Sequence, residues 1–155
     1  MKLASKENIE VPIEQVFDML IDFDRHERSA MRRGADVLRT DKLGEAGVGV
    51  AWDISFDFRG KARKLALEVI EFDQPYEMTL QAKMQGLDST INLQLVALSK
   101  TLTRLNVTTD IAPQTLSARL MVQSFKLAKS SISKRFDSRL ADQARDMEDR
   151  YARLA

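Results

Sequence analysis

The last 42 residues constrain the fold more than any other stretch, because the chain contains neither glycine nor proline after Pro113. Apolar side chains recur in this tail at steps of three or four, which is the spacing of one face of an α-helix. The pattern predicts one long helix over about 114–154. Its apolar positions are Met121, Phe125, Ala128, Ile132, Phe136, Leu140, Ala144, Met147 and Tyr151.

A single helix of that length is too long for the domain that contains it. At about 1.5 Å per residue it would span about 60 Å, which exceeds the width of a globule of 155 residues. Its final turns must therefore overhang, bend or pack against another subunit. We expect Met147, Tyr151 and Leu154 to form a contact in a homodimer.

The middle of the chain follows a period of two, which is typical of strands with one buried face. Short joints such as Arg59-Gly60-Lys61 and Gln85-Gly86 make neighbouring strands antiparallel. A first strand over about Lys2 to Glu10 and a second over about Asp36 to Thr40 bring the total to about seven. The alternating stretches run from Val50 to Phe58, Leu65 to Val69, Tyr76 to Met84, Ile91 to Ala97 and Leu105 to Ile111.

Two short helices are predicted between the first and second strands. Val11-Pro12-Ile13-Glu14 places a proline in the first turn with an acid close behind it. The second helix covers Arg25 to Arg33 and ends at Gly34, a residue suited to a left-handed cap. The order of elements predicts an α+β fold with a seven-stranded antiparallel meander and a long C-terminal helix.

The amino-acid composition excludes several kinds of catalytic and metal-binding site. A chain of 155 residues fits one domain over 1–155, and it has no cysteine and a single histidine, His26. Disulfides, thiol nucleophiles and Cys/His zinc sites are therefore excluded, and we expect no catalytic residue, no metal and no cofactor. The polar N-terminus and the lack of a long apolar run predict a cytoplasmic protein without a membrane-spanning segment.

Several stretches carry a family resemblance. Residues 9–17 (IEVPIEQVF) read as strand, proline and helix, and Gly47-Val48-Gly49 precedes Trp52. Residues 67–75 (LEVIEFDQP) end a strand in an acidic-proline turn, and residues 103–107 (TRLNV) precede the long helix. In these features the chain resembles the helix-grip (SRPBCC) superfamily of START, birch-pollen-allergen-like and polyketide cyclase/dehydrase-like proteins. The resemblance spans essentially the whole chain and implies a curved sheet wrapped around the C-terminal helix.

The resemblance also implies a cavity between the sheet and the C-terminal helix that binds a hydrophobic or amphipathic small molecule such as a lipid, quinone or polyketide. Such pockets are mostly apolar with a few polar groups. Arg63 shares the parity of Leu65 and Leu67, so it could pair with a carboxylate or phosphate of the ligand, and Thr109 could donate a hydrogen bond. The candidate lining residues are Trp52, Ile54, Phe56, Arg63, Leu67, Met78, Leu80, Met84, Leu93, Val107, Thr109, Met121 and Phe125.

Two alternatives to simple binding stay open. One is an enzyme of the polyketide cyclase or dehydratase type that uses His26 or buried acids, although His26 and Glu27 are adjacent and point in different directions on a helix. The other is an adaptor for an acidic partner or a membrane, because residues 114–155 hold 9 basic against 5 acidic residues. Nucleic acid is not expected, because no aromatic residues are interleaved with the basic ones.

Overall fold

The structure is a computed structural model that describes residues 1–154, so Ala155, the last residue of the predicted domain, lies outside the described residues. Seven strands form one curved antiparallel sheet. They are β1 (Lys2–Ile9), β2 (Asp36–Arg39), β3 (Ala51–Phe58), β4 (Lys61–Asp73), β5 (Glu77–Met84), β6 (Leu87–Ala97) and β7 (Thr103–Pro113). The spatial order β1-β7-β6-β5-β4-β3-β2 confirms the predicted meander and leaves β1 and β2 at the two edges.

The tightest hairpins are closed by two-residue turns at the predicted joints. Arg59 and Gly60 both have positive φ, and so do Gln85 and Gly86. Two consecutive positive φ angles are the signature of the turn whose twist matches that of the flanking strands. A register shift between Val69 and Glu71 bends β4 and adds to the curvature of the sheet.

The two helices between β1 and β2 follow the sequence closely. Helix α1 (Ile13–Leu20) begins directly after Pro12, and Ile13, Val16 and Phe17 are buried against the sheet. Helix α2 (Phe23–Arg32) starts two residues before the predicted position, because the carboxylate of Asp22 accepts a hydrogen bond from the backbone N–H of Arg25 and caps the helix.

The predicted single C-terminal helix is wrong in one respect: it is two helices, α3 (Leu116–Leu127) and α4 (Lys129–Leu154). The backbone leaves the helical conformation at Ala128, although neither glycine nor proline is present. At 1.5 Å per residue the two pieces measure about 18 Å and 39 Å. Helix α3 packs against β7 and α4 mainly along β1, so each piece covers a different part of the sheet.

The inward face of α4 completes the main core. Met147 is buried among residues of α1 and the sheet, and Phe136, Leu140 and Tyr151 pack against the same cluster. The predicted dimer contact at Met147 is therefore wrong, since that side chain is already covered by its own chain. Leu154 is exposed at the end of α4.

A smaller cluster lies at the far end of the sheet under α3. Its buried members are Leu87, Ala118 and Val122. Met121 and Phe125, which belong to the predicted helical stripe, pack against this cluster and not against the main core. The two ends of the stripe thus pack on two separate clusters, and Ala128 and Ile132 between them line a groove.

Candidate functional site

The concave face of the sheet is only half-buried at its centre. The register places Trp52 opposite Leu67 and Met78 opposite Leu93, so these side chains point to the same face. Trp52 and Met78 are buried, whereas Leu67 and Leu93 remain partly accessible to solvent. Protein interiors are normally close-packed, so incomplete burial under a helical layer indicates a hollow.

That hollow is a cavity of about 270 Å³ between α2, the end of α1 and the sheet. One wall is helical, and the other is formed by β2 to β6. Ten of its twelve lining residues are apolar. The lining consists of Leu20, Phe23, His26, Glu27, Ala30, Val37, Trp52, Ile54, Leu67, Met78, Leu80 and Leu93.

Both polar side chains of the lining come from α2 and already make hydrogen bonds. His26 Nε2 lies 3.1 Å from the carbonyl oxygens of Met19 and Leu20. Because both partners are acceptors, Nε2 carries the hydrogen and donates to the last turn of α1, whose carbonyls have no partner within the helix. Glu27 Oε2 accepts a hydrogen bond of 3.1 Å from Trp52 Nε1.

The contact between Glu27 and Trp52 joins α2 to the sheet and is reinforced by aromatic packing. The rings of Phe23 and Trp52 meet edge to face, with 5.0 Å between centroids. Arg39 Nη1 lies 3.5 Å from Glu27 Oε2, and the Arg39 guanidinium lies 5.4 Å from the centre of the Trp52 ring. Helix α2 is therefore held over the cavity by the contacts of Glu27 and Phe23 with Trp52 and by the ion pair between Glu27 and Arg39.

Asp41 fixes the position of Arg39. The Nε atom of Arg39 donates to Asp41 Oδ2 at 2.5 Å, and the backbone N–H groups of Ala51 and Leu43 donate to the same carboxylate at 2.9 Å. The hydrogen bond from Arg39, followed by that from Ala51, lowers the pKa of Asp41 from 3.8 to about 2. The same bond raises the pKa of Arg39.

The structure brings six of the thirteen predicted lining residues to this cavity: Trp52, Ile54, Leu67, Met78, Leu80 and Leu93. Their part in ligand binding stays a prediction. The lining includes no residue of α3 or α4. The apolar cavity thus lies between the sheet and α2, and not between the sheet and the C-terminal helix as expected, because α4 packs along β1 at the edge of the sheet.

The other seven candidates lie elsewhere on or beside the concave face. Phe56 stands opposite Arg63, whose Nη1 donates to Gln85 Oε1 at 2.7 Å. Val107 is buried in the main core, and Thr109 is half-buried opposite Ile91. Met84, Met121 and Phe125 pack on the smaller cluster under α3.

A second, larger groove of about 590 Å³ runs between the sheet and the junction of α3 and α4. Phe125 lies in its wall, and the Arg59 guanidinium lies 5.6 Å from the centre of the Phe125 ring. This groove occupies the position expected for the cavity, but its wall also contains Ser131 and Arg135, so it is more polar than the cavity at α2.

Sequence reasoning missed the helical wall of the cavity. Phe23, His26, Glu27 and Ala30 are spaced as one face of α2. These positions, i, i+3, i+4 and i+7, have the spacing of one helix face. The pattern was not recognised as an apolar stripe because the two central residues, His26 and Glu27, are polar. Val37 was missed because β2 has only four residues, too few to show alternation.

No group of three or more histidine or acidic side chains within residues 1–154 is arranged to hold a metal ion. Likewise, none of the helices described is both long and apolar enough to cross a membrane.

Comparison with known proteins supports the fold. No family model matches the chain, and no curated protein matches it significantly. Among solved structures, the Zhui aromatase/cyclase from Streptomyces sp. R1128 is 12% identical with a TM-score of 0.64, over 94% of this chain and 93% of the other. A protein from Thermus thermophilus is also 12% identical, with a TM-score of 0.67 over 95% and 97% of the two chains.

A START superfamily protein from Mycobacterium smegmatis is 9% identical, with a TM-score of 0.58 over 86% of this chain and 95% of the other. These likenesses define the class of architecture: the chain has the helix-grip fold. The resemblance found in the sequence is confirmed at the level of the fold.

Proposed function

We propose that the protein binds a small hydrophobic or amphipathic molecule in the cavity between α2 and the sheet. The main support for this proposal is the lining of the cavity. Ten of its twelve residues are apolar, and the two polar side chains already form hydrogen bonds within the protein. An apolar hollow gains by exchanging water for an apolar molecule. In this proposal, residues 1–155 form one ligand-binding domain of a cytoplasmic protein.

The size and polarity of the cavity narrow the ligand class. A volume of about 270 Å³ corresponds to roughly nine water molecules at about 30 Å³ each, which suits a compact ring system or a short chain. In the described part of the chain no hydrogen bond reaches Glu27 Oε1, while Oε2 is occupied by Trp52. A ligand with one hydroxyl or N–H group directed at Glu27 fits best.

Fluorescence can test the proposal, because Trp52 is the sole tryptophan and lies in the cavity wall. N-phenyl-1-naphthylamine is an apolar probe with a single N–H group, and it accepts excitation energy from tryptophan. We expect saturable quenching of Trp52 emission with matching probe emission. Absence of saturable transfer at probe concentrations up to its solubility would contradict the proposal.

Two matched variants locate the probe. Leu93→Phe adds volume inside the cavity and should weaken probe binding by at least about tenfold, because overfilling a confined apolar site forces neighbours to shift. Val96→Phe adds the same ring to the opposite face of the same strand and should bind as the wild type does. Equal binding by both variants would place the probe elsewhere.

A second candidate function is acid–base chemistry on the bound molecule, as in cyclase or dehydratase enzymes. The observation that favours it is the position of His26 and Glu27 together in the cavity wall. A poly-β-keto thioester analogue incubated with the protein and followed by mass spectrometry would test it. Conversion by the wild type that is lost in Glu27→Gln would support catalysis. Absence of conversion by the wild type would contradict the catalytic candidate.

A further inference from the structure

Helix α3 carries a line of leucines that its own chain does not cover. Leu116, Leu120 and Leu127 are 75%, 62% and 93% exposed. At 3.6 residues per turn they fall within about 40° of one another around the helix axis. The opposite face of α3, with Ala118 and Val122, packs against the sheet. Helix α3 is therefore apolar on two faces, and only one of them is buried.

The surroundings of this line are basic. The chain contains no acidic residue from 111 to 136 and five basic ones in the same span. Arg119 and Lys126 stand on one flank of the leucine line, and Lys129 follows at the start of α4. Among the residues that the structure describes, none of these three cations forms a salt bridge. Apolar side chains beside unpaired cations favour an anionic, apolar partner.

Charge argues against a second copy as the partner. A two-fold contact between two α3 helices presents the same patch on both sides. Arg119 and Lys126 of one copy would approach the same two cations of the other, with no acid in the segment to neutralise them. A membrane with anionic headgroups offers both negative charge and an apolar interior to the leucines.

We propose that α3 docks on the surface of an anionic phospholipid bilayer, with Leu116, Leu120 and Leu127 inserted between the headgroups and the flanking cations bound to phosphate. The helix lies in the plane of the interface and does not cross the membrane, since it has only 12 residues. Its junction with α4 borders the second groove, which would bring that opening close to the lipid. This proposal is independent of the ligand cavity at α2.

Vesicle flotation tests the docking directly. We expect binding to phosphatidylcholine vesicles that contain one quarter phosphatidylglycerol, weaker binding in 0.5 M NaCl, and no binding to phosphatidylcholine alone. Leu120→Gln should weaken binding at least about tenfold. Leu38→Gln changes a leucine of similar exposure, 64% against 62%, on the edge strand β2, and this variant should bind as the wild type does. Lys126→Gln should weaken vesicle binding about fivefold. Lys100→Gln, in the exposed turn between β6 and β7, should leave vesicle binding unchanged.

The absence of cysteine allows a second measurement. A solvatochromic dye on Leu127→Cys should shift its emission to the blue with anionic vesicles and be quenched by nitroxide lipids, whereas the same dye on Lys100→Cys should do neither. Equal binding of Leu120→Gln and wild type, or an unshifted dye at position 127, would overturn the proposal. A dimer in analytical ultracentrifugation that Leu120→Gln abolishes would assign the surface to a second copy of the chain and would also overturn the proposal.

Discussion

The contact between Glu27 and Trp52 should be measurable as a coupling free energy. Glu27→Ala leaves the indole N–H of Trp52 without its acceptor in a residue that is only 5% exposed. A buried donor without a partner costs about 1–3 kcal/mol. Loss of the part-exposed ion pair with Arg39 adds at most about 1 kcal/mol. We expect Glu27→Ala to lower the free energy of unfolding by about 2 kcal/mol.

A double-mutant cycle separates the bond from other effects of the substitution. Trp52→Phe removes the donor but retains an aromatic ring, so the double variant should lose about 1–2 kcal/mol less than the sum of the single variants. Urea unfolding followed by far-ultraviolet circular dichroism measures all four proteins, since two of them lack tryptophan. Asp57→Ala, an exposed acid on the same strand, should be additive with Trp52→Phe. A coupling energy below about 0.5 kcal/mol for Glu27 and Trp52 would refute the reasoning.

Three further predictions concern individual residues that stabilise the folded state. The lowered pKa of Asp41 stabilises the folded state above pH 4, and this stabilisation is lost as the pH falls toward 2. The difference in stability between wild type and Asp41→Asn should therefore shrink over that window in urea unfolding at successive pH values. Gly86→Ala should lower the melting temperature by several degrees, because its φ is +80° and a Cβ there would lie 2.6 Å from the hydroxyl oxygen of Thr115, the N-cap of α3. Thr103→Val should cost about 1–3 kcal/mol in urea unfolding, since a fully buried hydroxyl donates at 2.7 Å to a carbonyl just before α1, and Thr103→Ser should retain most of the stability.

The sheet could be predicted from the sequence because its signals are local. Alternation in residues 50–58 assigns Trp52, Ile54 and Phe56 to one face, and the structure has them there. The turns at Gly60 and Gly86 are specified by the only residue type that adopts a positive φ without strain. The register of these two hairpins follows as well, since a two-residue turn leaves no freedom in the pairing of its strands.

The break at Ala128 and the polar wall of the cavity could not be predicted in the same way. The residues around Ala128 favour helix, and the break results from two halves of the tail that pack on different clusters. Glu27 and Trp52 are 25 positions apart, and no local pattern links an acid on a helix to an indole on a strand. A contact of this kind depends on the angle at which α2 crosses the sheet. That angle is set by the packing of the whole core and not by the local sequence.

The place of the cavity follows from where the C-terminal helices lie. Helix α4 runs along β1 at one edge of the sheet, and α3 covers the far end of β7. The centre of the concave face, around Leu67 and Leu93, is then covered only by α2 and the end of α1, and α2 contacts the sheet along β2 and through Trp52. The bend at Ala128, one of the three outcomes expected from the length of the tail, separates α3 from α4, and neither helix lines the cavity at this centre.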